Sequence, residues 1–417
     1  MLPPICHCTL SQDHMDLAPK KAAYPVMVWL SWQWHPFPGR RRIIGSRAPN
    51  SAIAGRWTMA KPAVRRQTEW VPLTKEQYRE RFYARFYDPA FDGVKSELEK
   101  VFEKAWDGYI VYRKSPRKQL AGKGYADPNF ELPIEWIETR AVIDAAEKRQ
   151  KDPKSPTRIL IVNGSPRSEH TCPGEISKTR RLAQHAQKAI EALPRHEVDF
   201  LDISTLADEP LKTIYPCKAC VSTAQPLCHW PCSCYPNHAV GQVNDWMNDL
   251  YPRWVAAHGV MILCPVHWYQ APAGLKLMID RLVCADGGNP DPTTTKGKSP
   301  VLAKELELKG WDYPKHLAGR AFSIVAHGDA AGPENLRRML ADWLTDIGMI
   351  SAGPSAVLDT WIGWYQPYAN SHEDLDKDQD LFTEVGNAAL ALANQVKLIR
   401  SGKYQAPDAE LHDPREK

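Results

Sequence analysis

The 417-residue sequence lacks any apolar run of about 18 residues, so no segment reads as a membrane span. Its most apolar early stretch, Tyr24–Trp34, is too short. It also lacks a basic start followed by an apolar core and a small-residue cleavage site, which argues against secretion and for a cytoplasmic protein. In that compartment the ten Cys read as reduced thiols or metal ligands rather than as disulfides. Acidic residues are missing from Leu17 to Thr68, where ten Lys or Arg occur. With two Asp and no base ahead of that stretch, the formal net charge of +4 becomes −4 for residues 69–417. The main body therefore has no basic footprint for nucleic acid, nor the strong acidity of a small carrier that docks on basic partners. Two phosphate signatures are absent as well: neither G-x-G-x-x-G nor G-x-x-x-x-G-K-[ST] occurs.

What is present is a globular composition, 43% hydrophobic and 24% charged, with many Trp and Pro that point to rigid loops and flat surfaces able to stack on an aromatic ligand. Residues 1–66 show no sustained helical or strand period and are expected to be a disordered extension. An upstream extension with the native start at Met59 is the preferred reading, an organelle presequence the other. Residues 67–150 are expected to be helical. Thr74-Lys75-Glu76-Gln77 fits a capping box. Apolar residues from Tyr78 to Ala105 recur at three to five positions, giving two amphipathic helices broken near Asp88-Pro89, and a further helix spans about 135–149.

After a linker, residues 155–402 alternate strand and helix. The predicted strands are Arg158–Asn163, Glu197–Leu201, Val260–Pro265, Ala321–Ala326 and Ser355–Leu358. The predicted helices are 176–193, Ala273–Val283, Pro333–Ile347 and 379–400. Five strands alternating with helices imply an α/β fold with a parallel doubly wound sheet. Right-handed crossovers then bring the ligand-facing loops to the carboxyl ends of the strands. Residues 403–417 are expected to be a disordered tail.

The first such loop, Asn163-Gly164-Ser165-Pro166-Arg167, lies between a strand and a helix, where free N–H groups and the helix dipole favour phosphate. Ser165, Ser177 and Thr179 can donate hydroxyl hydrogen bonds and Arg167 can pair with the charge. The second loop, Pro265-Val266-His267-Trp268-Tyr269, follows the third strand and meets the first at the point where strand order reverses. Its planar side chains could stack on a flavin ring or simply pack. His258 and His327 flank apolar strands and read as hydrogen-bonded structure. Asp286–Pro292 reads as a turn-rich loop near the active site, and 361–368 (WIGWYQPY) as a pocket cap, a subunit interface or plain packing.

NGSPR after the first strand, CxxC downstream, and PVHWYQAPAGLKLMIDRL after the third strand resemble the NADPH-dependent FMN reductase family over about residues 155–350. The resemblance implies a flavodoxin-like fold, here preceded by the helical N-terminal extension read above, with noncovalent FMN, NAD(P)H as donor and a homo-oligomer (dimer or tetramer). It puts Ser165, Arg167, Ser177 and Thr179 on the FMN phosphate. Pro265, Val266, His267, Trp268 and Tyr269 would line the ribityl chain and ring, and His327, Gly328 and Asp329 would open a third flavin loop. The family's G-N-T reads Ser-Lys-Thr here, about eight extra residues follow Arg167, and His267 stands where Tyr is usual.

Cys217, Cys220, Cys228, Cys232 and Cys234 fall within 18 residues. Such a cluster can hold an iron–sulfur centre or zinc, can pack as buried thiols, or can supply a redox pair in Cys217/Cys220. The related iron–sulfur flavoproteins place a compact Cys cluster in this region, whereas plain reductases often carry only the CxxC pair without metal. The expectation is an FMN-dependent NAD(P)H oxidoreductase acting on a small acceptor such as a quinone or flavin. The alternative is an FMN electron-transfer protein with a Cys-ligated iron–sulfur cluster and no nicotinamide turnover. Neither reading calls for a nucleic-acid or membrane partner.

Overall fold

The computed structural model describes residues 71–110, 118–168, 177–209, 212–222, 224–232, 245–310, 313–363, 371–407 and 409–410. The extension 1–66 and most of the tail lie outside the described residues, as do Cys172, Cys234 and 364–368.

Helix α1 (Lys75–Tyr83) starts at the predicted capping box: Thr74 Oγ1 accepts from Gln77 N–H at 3.2 Å, and Gln77 Oε1 accepts from Thr74 N–H at 3.0 Å. A 3-10 turn at Pro89–Val94 leads to α2 (Lys95–Ile110). The two helices share a small core around Phe82, Phe102 and Ala105, flanked by Arg79 paired through both nitrogens with Glu99. A short antiparallel pair follows, β1 (Lys118–Leu120) with β2 (Glu131–Pro133), and then α3 (Ile134–Lys151).

The sheet begins with β3 (Thr157–Asn163), followed by α4 (Lys178–Glu191), β4 (His196–Asp202) and the single turn α5 (Thr205–Asp208). Helix α6 (Met247–Ala256), β5 (Gly259–Pro265) and α7 (Ala273–Arg281) come next, then α8 (Pro300–Lys309) and β6 (Ala321–Gly328). Helix α9 (Pro333–Asp346), β7 (Ile350–Ser351), β8 (Val357–Trp361), α10 (Ser371–Lys377) and α11 (Gln379–Arg400) complete the chain.

The spatial order is β4-β3-β5-β6, with both β7 and β8 on the far side of β6 and every pairing parallel. Counted by position, this is the 2-1-3-4-5 order of a flavodoxin-like sheet. The expected five-strand sheet needs correction, because among the described residues the sheet has six strands. Its last position is filled by two pieces: β7 pairs with Ala321 and Phe322, and β8 pairs with Ile324–Gly328. Gly353 at φ 101° and the 3-10 turn Pro354–Ala356 break the backbone between them. Pro354 also lacks the N–H a ladder needs.

The near-continuous apolar strands follow from burial on both faces. Leu160 and Val162 of β3, Val260 and Ile262 of β5, and Phe322 and Ile324 of β6 pack with α3, α6, α7 and α9. Their neighbours Ile159, Ile161, Met261, Leu263 and Val325 pack with α4, α10 and α11 on the other face. Each such side chain, fully buried, contributes about 1.5–3 kcal/mol. Helix α3 belongs to this packing: Ile143 is wholly buried in the main core, and Trp136 Nε1 donates to Pro231 O at 2.8 Å. His258 ties it down, its Nδ1 accepting from Arg158 N–H at 3.0 Å while its Nε2 lies 3.0 Å from Gln150 O. Among the described residues no helix is long and apolar enough to cross a membrane.

Candidate functional site

Three loops leave the carboxyl ends of the adjacent strands β3, β5 and β6, and the first residue of two of them extends the ladder onto the next strand. Gly164 N–H donates to Leu263 O at 2.8 Å, and Val266 N–H donates to His327 O at 2.7 Å. Two glycines make this closeness possible. A Cβ on Gly164 would sit 2.8 Å from Cys264 Cβ and from Leu275 Cδ2, and one on Gly328 would sit 2.5 Å from Val266 Cγ1.

In the first loop, Ser165 and Ser177 are buried with their hydroxyl oxygens 3.2 Å apart, and Arg167 N–H donates to Ser165 Oγ at 3.1 Å. Residues 169–176 between them are outside the described set. Ser177 is the N-cap of α4, yet its side chain makes no capping bond, and the first turn carries Lys178 and Arg180 but no acid. Hydroxyls, backbone N–H groups and positive charge at one helix start are the donor set a phosphate requires. Asn163 Nδ2 donates to Asp202 Oδ1 at 2.9 Å and Arg180 pairs with the same carboxylate, so the loop is braced from β4.

Thr179 joins the first loop to the third: its Oγ1 lies 2.8 Å from His327 Nε2, with both side chains buried. Burial lowers the His327 pKa to about 4, with Lys178 adding to the effect, so the ring is neutral at pH 7. Burial also lowers that of His267. Gly328 O accepts from Ile362 N–H at 2.9 Å, and Asp329 is half-buried at the loop entrance.

The second loop is a tight two-residue turn. His267 and Gln270 exchange both backbone hydrogen bonds, at 2.9 and 3.0 Å. Trp268 (φ 47°) and Tyr269 (φ 66°) form its tip. Positive φ at both central residues is the type I′ geometry, normally Asn-Gly. Two bulky aromatics there cost roughly 1–2 kcal/mol each, the kind of strain that persists at functional sites. Trp268 is 95% exposed and Tyr269 55% exposed, so burial does not offset the cost. Asn335 Nδ2 holds the turn by donating to Tyr269 O at 2.8 Å, a role the sequence did not signal.

Of the sequence-predicted flavin residues, Ser165, Ser177, Thr179, Val266, His327 and Gly328 are drawn together by direct contacts. Pro265 ends β5 just before Val266, His267, Trp268 and Tyr269 follow it, and Arg167 lies two residues after Ser165. The Asp286–Pro292 stretch instead braces other segments: Asn289 N–H donates to Cys228 O at 2.7 Å, and Asp291 Oδ2 accepts from Ala126 N–H at 2.7 Å.

Cys217, Cys220, Cys228 and Cys232 line one small cavity, together with Cys284 and Lys298. Cys284 comes from just beyond α7 and was not foreseen, although it lies one helical turn past Arg281. Lys298 carried no sequence signal. Among the described residues no group of three or more His, Cys, Asp or Glu is arranged to hold a metal ion, and Cys234 lies outside them. The described donor set therefore does not fit an iron–sulfur or zinc centre as it stands. A separate groove of about 940 Å³ runs between α7 and α9, lined by Lys276, Asp280, Arg338 and Asp342, with Cys217 at its edge.

Residues 157–362 match the family model described as NADPH-dependent FMN reductase. An iron-sulfur flavoprotein of Methanosarcina thermophila is 24% identical over 200 residues, covering 48% of this chain and 78% of that protein. Among solved structures, RosB with a bound riboflavin-phosphate intermediate is 13% identical with a TM-score of 0.42, covering 60% of this chain and 82% of its own. An NADH:FMN oxidoreductase (EmoB) is 14% identical with a TM-score of 0.32, covering 61% and 93%.

Proposed function

We propose, from the premise that residues 157–362 belong to the NADPH-dependent FMN reductase family, that this oxidoreductase binds FMN, draws electrons from NADPH or NADH and delivers them to a small acceptor such as a quinone or free flavin. The observation that carries the reading is the gathering of three loops at adjacent strand ends, where Thr179 at the start of α4 meets His327 at the end of β6. The residues present fit the cofactor. Ser165, Ser177, Arg167 and the start of α4 suit its phosphate, and Trp268 and Tyr269 offer flat faces at the rim. When bound, FMN supplies the hydride and electron chemistry, and the protein supplies position and electrostatics. The neutral His327 holds Thr179 rather than moving a proton, so the reading requires no side-chain acid or base. In this reading Trp268, 95% exposed at the tip, would offer its face to a second planar ring, first the nicotinamide and then the acceptor.

The test is to saturate the purified chain with FMN and add NADPH or NADH without oxygen. Loss of the yellow oxidised-flavin absorbance, restored by a quinone, is the expected result. Tight FMN uptake with no bleaching by either nucleotide would overturn the nicotinamide reading. It would favour the alternative of an electron-transfer protein with a Cys-ligated iron–sulfur cluster, for which the similarity to an iron-sulfur flavoprotein speaks. Failure to take up FMN would overturn both.

A further inference from the structure

Apart from the flavin loops, the fold gathers a second set of reactive side chains, and one contact within it gives direction. Lys298 Nζ lies 2.9 Å from Cys220 Sγ and 3.2 Å from Leu227 O. The carbonyl fixes the ammonium, and an ammonium at hydrogen-bond distance stabilises a sulfur as its anion, the nucleophilic form. Leu227 is itself pinned, because it precedes Cys228, whose carbonyl accepts from Asn289 N–H at 2.7 Å. The lysine is thus held by backbone that has little freedom to move.

Cys217 completes the arrangement. Ala219, between the two cysteines, is in the left-handed region at φ 49°, and its N–H donates to Cys217 Sγ at 3.3 Å. The turn lies within the CxxC segment, and both of its cysteines line one small cavity. Cys217 also lines the 940 Å³ groove between α7 and α9, so the groove meets the pair at Cys217. Both cysteines are half-buried and neither is in a disulfide, whereas Cys264 and Cys284 are buried.

We propose that Cys217 and Cys220 form a thiol–disulfide exchange site for small-molecule disulfides, with Cys220 as the nucleophile and Lys298 as the residue that positions it and balances its charge. The Cys220 thiolate attacks one sulfur of R–S–S–R. The S–S bond breaks, RS⁻ leaves and takes a proton from water, and Cys220 is left in a mixed disulfide with R. The Cys217 thiol then loses its proton and attacks the Cys220 sulfur, which releases the second RSH and closes a Cys217–Cys220 disulfide. Two electrons pass from the protein dithiol to the external disulfide, which is reduced to two thiols. The site makes no use of FMN and stands whether or not the flavin reading holds.

The experiment is timed alkylation of the full-length chain by iodoacetamide with peptide mapping, followed by reaction with oxidised glutathione. Cys220 is expected to be modified first. Lys298→Met should slow it by roughly tenfold near pH 7 and move its pH–rate profile to the alkaline side, while Lys298→Arg keeps most of the rate. Oxidised glutathione should produce the Cys217–Cys220 disulfide in the wild type and stop at a glutathione adduct on Cys220 in Cys217→Ser. Modification of Cys220 no faster than buried Cys264 would overturn the proposal. So would a rate indifferent to Lys298→Met, and so would stoichiometric iron or zinc in the purified chain that Cys220→Ser releases. FMN uptake measured on the same samples keeps this outcome separate from that of the flavin reading.

Discussion

The Thr179–His327 contact fastens the start of α4 to the end of β6, and replacing Thr179 by Val tests whether the site depends on it. The two side chains are similar in volume, so the change removes a hydroxyl and little else. It leaves Nε2 of a ring that is 4% exposed without its partner at 2.8 Å. An unsatisfied buried polar group costs about 1–3 kcal/mol. For a domain of this size each kcal/mol lowers Tm by about 2–4 °C, so a drop of roughly 2–12 °C is expected. If the loop shifts so that half of that energy is also lost to binding, FMN affinity falls by roughly two- to twelvefold, since 1.4 kcal/mol is a factor of ten. The assays are urea unfolding and FMN fluorescence titration on Thr179→Val, Thr179→Ser and His327→Phe. Thr179→Ser keeps the hydroxyl and should stay near wild type. The double variant Thr179→Val/His327→Phe, with both polar partners gone, should be less damaged than the sum of the single changes. A Thr179→Val protein within about 0.5 kcal/mol of wild type, the range of ordinary surface changes, with unchanged FMN affinity, refutes the reasoning.

Three further outcomes are expected. Gly328→Ala puts a Cβ 2.5 Å from Val266 Cγ1 and should destabilise by about 1–3 kcal/mol; Val266→Ala should recover most of that loss, and thermal melts showing no recovery would place the strain elsewhere. His258, His316 and His327 are all lowered to about 4, chiefly by burial, against an unfolded value of about 6.5. The unfolded chain then binds more protons across that interval, so their stabilisation is complete above about pH 6.5 and is lost as pH falls towards 4. A urea midpoint that stays flat from neutral pH to 4.5 contradicts this. Trp268→Gly relieves a left-handed aromatic that is 95% exposed, so Tm should hold or rise by the equivalent of about 1 kcal/mol while nicotinamide-driven flavin reduction slows; a clear fall in Tm shows that the ring is packed.

The apolar strands and the helices α4, α7, α9 and α11 were readable between Thr157 and Arg400, because burial on both faces of a parallel sheet leaves its mark on every residue of a strand, whereas α5, α6, α8 and α10 were not foreseen. The same logic exposed the N-terminal capping box, where the interaction closes within one helical turn. Chain order likewise marked Gly164 and the Pro265–Tyr269 segment as strand-end loops. The last sheet position was misjudged, since Ile350–Ser351 is too short to leave a pattern and only β6 decides that it pairs. Tertiary structure alone decided the contacts between residues far apart in the chain: Thr179 with His327, Asn335 with the aromatic turn, Cys284 and Lys298 with the CxxC segment. Local sequence carries propensity and period, which are properties of neighbours along the chain. A hydrogen bond across 148 residues depends on how the sheet brings its loops together, and neither partner carries a mark of the other.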